Sequence, residues 1–225
     1  MKTDAMSHDT RERILQAATQ LFAEFGYRGT TVAAVCRMAS ANIAAVNYYF
    51  GGKDALYVEA WRSAFLASIN RHPPLGGVSP EAPAEARLRG WIRSLIERIS
   101  DPDSCDFEIV HMELANPTGL LTNAMRESIS PMEKMLAQIV GELLGKKKTP
   151  ENIQLCMMSI QAQCLNPRVL GKRHQMLKQE RPKAGPEPLS CDVEKIVDHV
   201  IEFSLAGIAA IANRKSPATP RRKGK

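Results

Sequence analysis

The sequence predicts an all-α fold, with a three-helix helix-turn-helix unit at the N-terminus and a larger helical domain after it. Three observations predict it. Aromatic residues are only 5% of the 225 residues, whereas Ala, Leu, Ile and Met are plentiful, a balance that favours helix over sheet. Apolar residues recur at helical spacing along most of the chain, and no stretch alternates convincingly at period two. Hydrophobic residues at 44% and charged residues at 24% match a folded globular chain and exclude a largely disordered one.

Residues 9–26 read as the first helix, because Ile14, Ala18, Leu21, Phe22 and Phe25 form one apolar stripe. Asp9 or Thr10 is placed to cap its start, and Gly26 to end it. Thr31–Met38 and Asn42–Phe50 follow as short helices. The three residues between them, Ala39-Ser40-Ala41, give helix-turn-helix spacing. Gly51-Gly52 breaks the chain, and a long helix runs from about Lys53 to Asn70 with acidic Asp54 in its first turn. The stretch His72–Pro83, with four prolines and two glycines, marks a boundary or loop. Helical patterns return at about 84–100, 104–115, 118–144, 150–165 and 191–213. The basic, proline-bearing stretch between the last two reads as a long loop. The predicted organisation is therefore 1–53, a connecting helix of about 53–71, a second domain over 72–213, and a disordered basic tail over 214–225.

The net charge of +6 sits in that tail: from Asn213 to Lys225 there are six basic residues and no acid, so the remainder is neutral. Overall charge is then no argument for nucleic-acid binding, and placement must carry it. Five cysteines, at 36, 105, 156, 164 and 191, contain no C-x-x-C pair, which is neither a disulfide framework nor a zinc ribbon. No segment reaches the roughly 20 apolar residues of a membrane span. The stretch MKTDAMSHDTRER lacks the apolar centre of a signal peptide. A cytoplasmic protein without cofactor, metal or membrane partner is expected.

The third helix carries the clearest chemistry. Val46, Tyr49 and Phe50 share one face, suited to packing on the first helix, while Ala44, Asn47 and Tyr48 share the opposite face. Small and polar side chains let a helix sit deep in a major groove. There an amide can pair with adenine, and a phenol can reach a base or phosphate. Asn42 is placed to cap this helix, and Thr31 and Lys53 stand on either side as backbone clamps. The plainer alternative is a three-helix packing unit with solvated polar residues.

The segment TRERILQAATQLFAEFGYRGTTVAAVCRMASANIAAVNYYFGGKDALY resembles the DNA-binding domain of the TetR family of bacterial regulators. The likeness lies in AAxxLFAEFGYxGTT, the turn, the YYF closing the third helix, and the lysine after it. NIAAVNYYFGGK, with ELANPTG, SIQAQCL and DHVIEFSLAGI, is similar to the CecR-like subgroup. The resemblance implies a ligand-responsive regulator, a repressor, that binds a pseudo-palindromic double-stranded DNA operator as a homodimer. It implies a C-terminal domain for effector binding and dimerisation, and DNA contacts at Thr31, Ala44, Asn47, Tyr48 and Lys53. Ser40 departs from the family's usual glycine, at about 1 kcal/mol for a left-handed backbone. Asn47 departs from the usual tyrosine and alters one contact to DNA.

The helices at 150–165 and 191–213 are apolar on most sides, as two helices buried twice in an isologous four-helix interface would be. Ile153, Val197, Ile201, Leu205 and Ile208 are the expected contact residues. Trp61, Phe65, Phe107, His111, Met157, Gln161 and Cys164 are the candidate walls of a site for a small hydrophobic effector. His111 and Glu113, two apart on a helix, are a poor metal pair. Two other classes remain open at this level. A helical enzyme would use His111 with Cys105 or Cys164, although no nucleophile motif surrounds them. A nonspecific DNA-coating protein would rely on the basic tail and show no preference between operator and random DNA.

Overall fold

The computed structural model describes the backbone of residues 2–178 and 192–214, and the side chains of 9–166 and 192–214. Among these residues there is no strand. The helices are α1 (Lys2–Gly29), α2 (Val32–Ala39), α3 (Ile43–Phe50), α4 (Lys53–Arg71), α5 (Ala84–Ser100), α6 (Cys105–Ala115), α7 (Thr122–Leu144), α8 (Pro150–Lys178) and α9 (Val193–Ala212), with one 3-10 turn at Gly145–Lys147. The predicted tail from 215 onward lies outside the described residues.

The chain forms two compact units that do not follow its linear order. One comprises 1–77 with 93–133, and the other 78–92 with 134–225. The helix-turn-helix thus shares a core with α6 and parts of α5 and α7. Ile14, Phe22, Val46, Leu56, Tyr57, Trp61 and Ile109 are almost wholly buried in it. Gly26 adopts φ 66°, ψ −179°, a region open essentially to glycine alone. A Cβ added there would lie 3.2 Å from Met112 Cε. That bend reverses one expectation, because Phe25 is 49% exposed. The aromatic position is taken instead by Tyr27, whose ring lies 6.4 Å from Phe22 and 5.2 Å from Tyr57.

Two other expectations change. Helix α7 begins at Thr122, not 118, because residues 118–119 close a turn around the buried Glu113 carboxylate. The Thr118 and Gly119 N–H groups and the Thr118 hydroxyl donate to Glu113 Oε1, each at 2.9 Å. Tyr57 Oη donates to its other oxygen at 3.1 Å. Burial, then the carboxylate beside it, raises the Tyr57 phenol above its ordinary value, so it remains a donor. Helix α8 runs to Lys178 through the stretch read as loop. By residue type, the Arg, Leu, Lys, Gln and Met that follow Pro167 are good helix formers. Residues 179–191 of that predicted loop lie outside the described residues.

In the second unit, α9 packs on α8 and on the 3-10 turn. Its core includes Ile139, Val140, Ile160, Val197, Val200 and Ile201. Arg87, itself buried, pairs with Glu142 across α5 and α7.

Candidate nucleic-acid interface

Helices α2 and α3 are each capped by the side chain the sequence offers. Thr31 Oγ1 accepts from Ala34 N at 3.1 Å, and Asn42 Oδ1 accepts from Ala45 N at 2.8 Å. Capping uses the acceptor of Thr31 and leaves its hydroxyl proton for a phosphate. At the start of α3 the cap satisfies one N–H, and the others of the first turn remain donors for an anion. Between the helices Ser40 takes φ 49°, ψ 48°. Its N–H and that of Ala41 close the turn on Arg37 O and Cys36 O.

Helix α3 divides as its spacing predicts. Val46 and Phe50 are buried and Tyr49 is half-buried, while Ala44 and Asn47 are exposed. Tyr48 is 82% exposed. Ile43, which sequence reading did not single out, is also exposed at the first position of the helix. A branched apolar side chain there suits a thymine methyl.

Lys53, the expected backbone clamp, is held by neighbours that its sequence position does not show. Its Nζ lies 4.1 Å from the centre of the Tyr27 ring, and the Tyr27 hydroxyl donates to Asp54. Desolvation lowers the Lys53 pKa, with Asp54 opposing that shift. Its ammonium therefore has a holder, and Tyr27 with Asp54 positions it. The signal was present in GYRGTT and GGKD, but nothing in their spacing joins them before the chain folds.

A small-residue helix face, a capped N-terminus and flanking hydroxyl and ammonium groups form a surface suited to a duplex groove. Family comparison agrees. Residues 14–60 match the family model for bacterial regulatory proteins of the tetR family. Residues 84–208 match the model for the C-terminal domain of the HTH-type transcriptional dual regulator CecR. The chain belongs to the TetR family. Over 212 residues it is 24% identical to the HTH-type transcriptional dual regulator CecR of Shigella flexneri, covering 87% of this chain and 94% of that one. It is 26% identical over 155 residues to the HTH-type transcriptional regulator SrpR of Pseudomonas putida, covering 68% and 70%. Among solved structures, the fatty acid degradation regulator FadR from Bacillus halodurans is similar with TM-score 0.62. That match has 15% identity and covers 88% of this chain and 95% of that one, a likeness of fold alone.

As a TetR-family helix-turn-helix regulator the chain is not an enzyme, and the pairing of His111 with Cys105 or Cys164 carries no catalytic role. No helix among the described residues is long and apolar enough to cross a membrane. Of the expected effector walls, Trp61 and Phe65 are buried with rings 5.2 Å apart, and Phe107 is half-buried. His111 is exposed, contrary to its expected place in a wall. Buried Ile109 and Glu113 lie two residues either side of it, which turns His111 to the opposite face of α6. Met157 and Gln161, one turn apart on α8, are half-buried. Cys164 is buried, and burial pushes its thiol up to about 12. Of the expected interface residues, Val197, Ile201 and Ile208 are already buried within the chain, while Ile153 and Leu205 are half-buried.

Proposed function

We propose that this regulator is a repressor that binds a pseudo-palindromic operator as a homodimer and leaves it when a small, largely apolar effector binds. The observation that carries the reading is the outward face of α3, where Ala44, Asn47 and Tyr48 stand in solvent while Val46 and Phe50 hold the helix to its core. Selecting bound duplexes from a random library tests it. An inverted repeat with half-sites about one helical turn apart is expected. Enrichment of no motif, or of one without two-fold symmetry, would refute it.

The dimer is supported by apolar side chains left on the outside of α8 and α9. Leu155, Met158 and Leu165 are 48%, 59% and 41% exposed, and Phe203 is 60% exposed. Gly207 lies mid-helix with nothing of its own chain within 4 Å of an added Cβ, although glycine there costs about 1 kcal/mol against alanine. Close approach of a second copy accounts for it. The proposed contact is thus the outer stripe of these helices, with Ile153 and Leu205 at its margin and Val197, Ile201 and Ile208 supporting it from inside. Phe203→Glu together with Met158→Glu should give a folded monomer by sedimentation. Ile201→Glu should instead unfold the protein, since it buries a charge. A dimer that persists with both outer changes would place the interface elsewhere.

Release follows if effector and operator favour different arrangements of the same helices. Helix α4 supports such a link: it starts at Lys53 on the DNA side and carries Trp61 and Phe65 in the core. A second reading, activation at some promoters, is favoured only by the name of the CecR relative, a dual regulator. Transcription from a promoter bearing the selected site, with and without the protein, separates the two.

A further inference from the structure

Inside the first unit lies a polar cluster that the DNA face does not use. Arg98 and Asp106 are 5% and 2% exposed and pair across α5 and α6, Nη2 to Oδ2, at 3.4 Å. The guanidinium carbon stands 5.2 Å from the Phe65 ring centre and 4.6 Å from that of Phe107. Arg98 Nη1 reaches Met132 Sδ at 3.9 Å, and Ser68 and Ser104 hydrogen-bond each other beside the pair at 3.1 Å. Three polar atoms here are buried without a well-formed hydrogen bond in the chain, Trp61 Nε1, Arg98 Nε and Asp106 Oδ1, although Ser68 and the backbone N–H groups of Asp106 and Phe107 also favour the Asp106 carboxylate. Native interiors seldom leave such groups unpaired, because each loses its hydration for nothing. Trp61 and Arg98 each lie against the Phe65 ring, and Asp106 lies against Arg98.

Their chemistry defines what would satisfy them. Two are N–H donors and one is a carboxylate acceptor. Arg98 and Asp106 together carry no net charge, so a ligand bringing a further full charge would bury it uncompensated. A neutral group with an acceptor beside a donor satisfies both kinds at once. The aromatic and thioether walls supplied by Trp61, Phe65, Phe107 and Met132 suit an apolar body behind it.

We propose that this cluster is the polar end of the ligand site, and that it takes an uncharged, mainly aromatic or apolar molecule bearing an amide-like donor and acceptor. The proposal rests on the reading of the chain as effector-responsive, and it adds Arg98 and Asp106 to the site together with the class of ligand. Phe107, half-buried, is the ring that yields to admit the ligand.

Trp61 is its own reporter. The chain has 2 tryptophans, and Trp91→Phe leaves Trp61 as the only indole. Para-butylbenzamide, para-butylbenzoate and para-butylbenzylamine are titrated into this full-length variant without DNA, reading Trp61 fluorescence and the indole N–H proton resonance. The amide is expected to bind saturably, move that resonance downfield, and bind at least about tenfold more tightly than either charged analogue. By calorimetry, Trp61→Phe in the natural chain should weaken the amide about tenfold. Should that variant fail to fold, the indole resonance of the Trp91→Phe protein decides. Preference for the benzoate or the amine, no saturable binding by any of the three, or an unmoved indole resonance would overturn the proposal. The last result would mean that these atoms are satisfied by water alone. An amide that binds here yet leaves operator affinity unchanged sustains the site and overturns effector release. Loss of operator selection with amide binding intact overturns only the repressor reading.

Discussion

The reading face of α3 and the cluster between α4, α5 and α6 are both polar, and they hold their polar groups in opposite ways. Asn47 and Tyr48 stand in water, with Tyr48 82% exposed, and the fold gains nothing from their functional groups. Arg98 and Asp106 are 5% and 2% exposed, and each charge, taken out of water, is offset by the other. Burial lowers the Arg98 pKa and raises that of Asp106, each partner opposing the shift of the other. A polar group at the surface can be replaced with little cost to the fold. A buried polar pair cannot lose one member without cost to stability.

The largest effect should come from breaking the buried pair. Arg98→Met leaves Asp106 without its cation and should cost about 3–5 kcal/mol of unfolding free energy, read by urea denaturation. Adding Asp106→Leu should recover much of that loss. A single change costing under about 1 kcal/mol would show that the pair is not the structural tie described. On the exposed side, Asn47→Ala should leave the denaturation midpoint unchanged. It should weaken operator binding by about 1–3 kcal/mol and relax preference at symmetric base pairs. If it weakens operator and scrambled duplex alike, Asn47 grips the backbone and does not read a base.

Lys53 tests an intermediate case, since its ammonium is held against Tyr27. Lys53→Ala should reduce affinity for every sequence and lower the salt slope by about one unit per half-site. Tyr27→Leu removes the holder and keeps the charge, so the slope should persist with a smaller loss of affinity. The smallest effect is expected at the turn. Ser40→Gly relieves the left-handed backbone of the one non-glycine residue that adopts it among those described. It should stabilise by about 0.5–1 kcal/mol, net of the greater freedom of unfolded glycine.

What could be read beforehand follows the same division. The cap at Asn42 and the two faces of α3 depend on neighbours within one or two turns, so residue spacing carried them, whereas Thr31 was read as a clamp and proves also to be a cap. The Lys53–Tyr27–Asp54 arrangement, the Glu113 turn and the Arg98–Asp106 pair depend on separate segments meeting. By position alone Arg98 is a basic residue in the last turn of α5 and Asp106 an acidic one in the first turn of α6, so sequence analysis singled out neither. Only tertiary packing makes them partners. His111 misled for the related reason that residue type suggested a site, and helical phase then turned it outward. On α9, apolar residues on most sides did not say which of them the chain buries itself: Val197, Ile201 and Ile208 are buried and Phe203 is exposed.

Helix α4 joins the Lys53 end to the aromatic rings of Trp61 and Phe65 in one continuous helix. From Trp61 back to Lys53 is eight residues, a rigid arm of about 12 Å. A tilt of about 10° at the rings swings the Lys53 end through about 2 Å over that arm. A hydrogen bond of 2.9 Å is spent well before its atoms have separated by that much. Leu56 and Tyr57, on the same arm, are buried in the core they share with the first three helices, so a shift at the rings carries that core along with the Lys53 end.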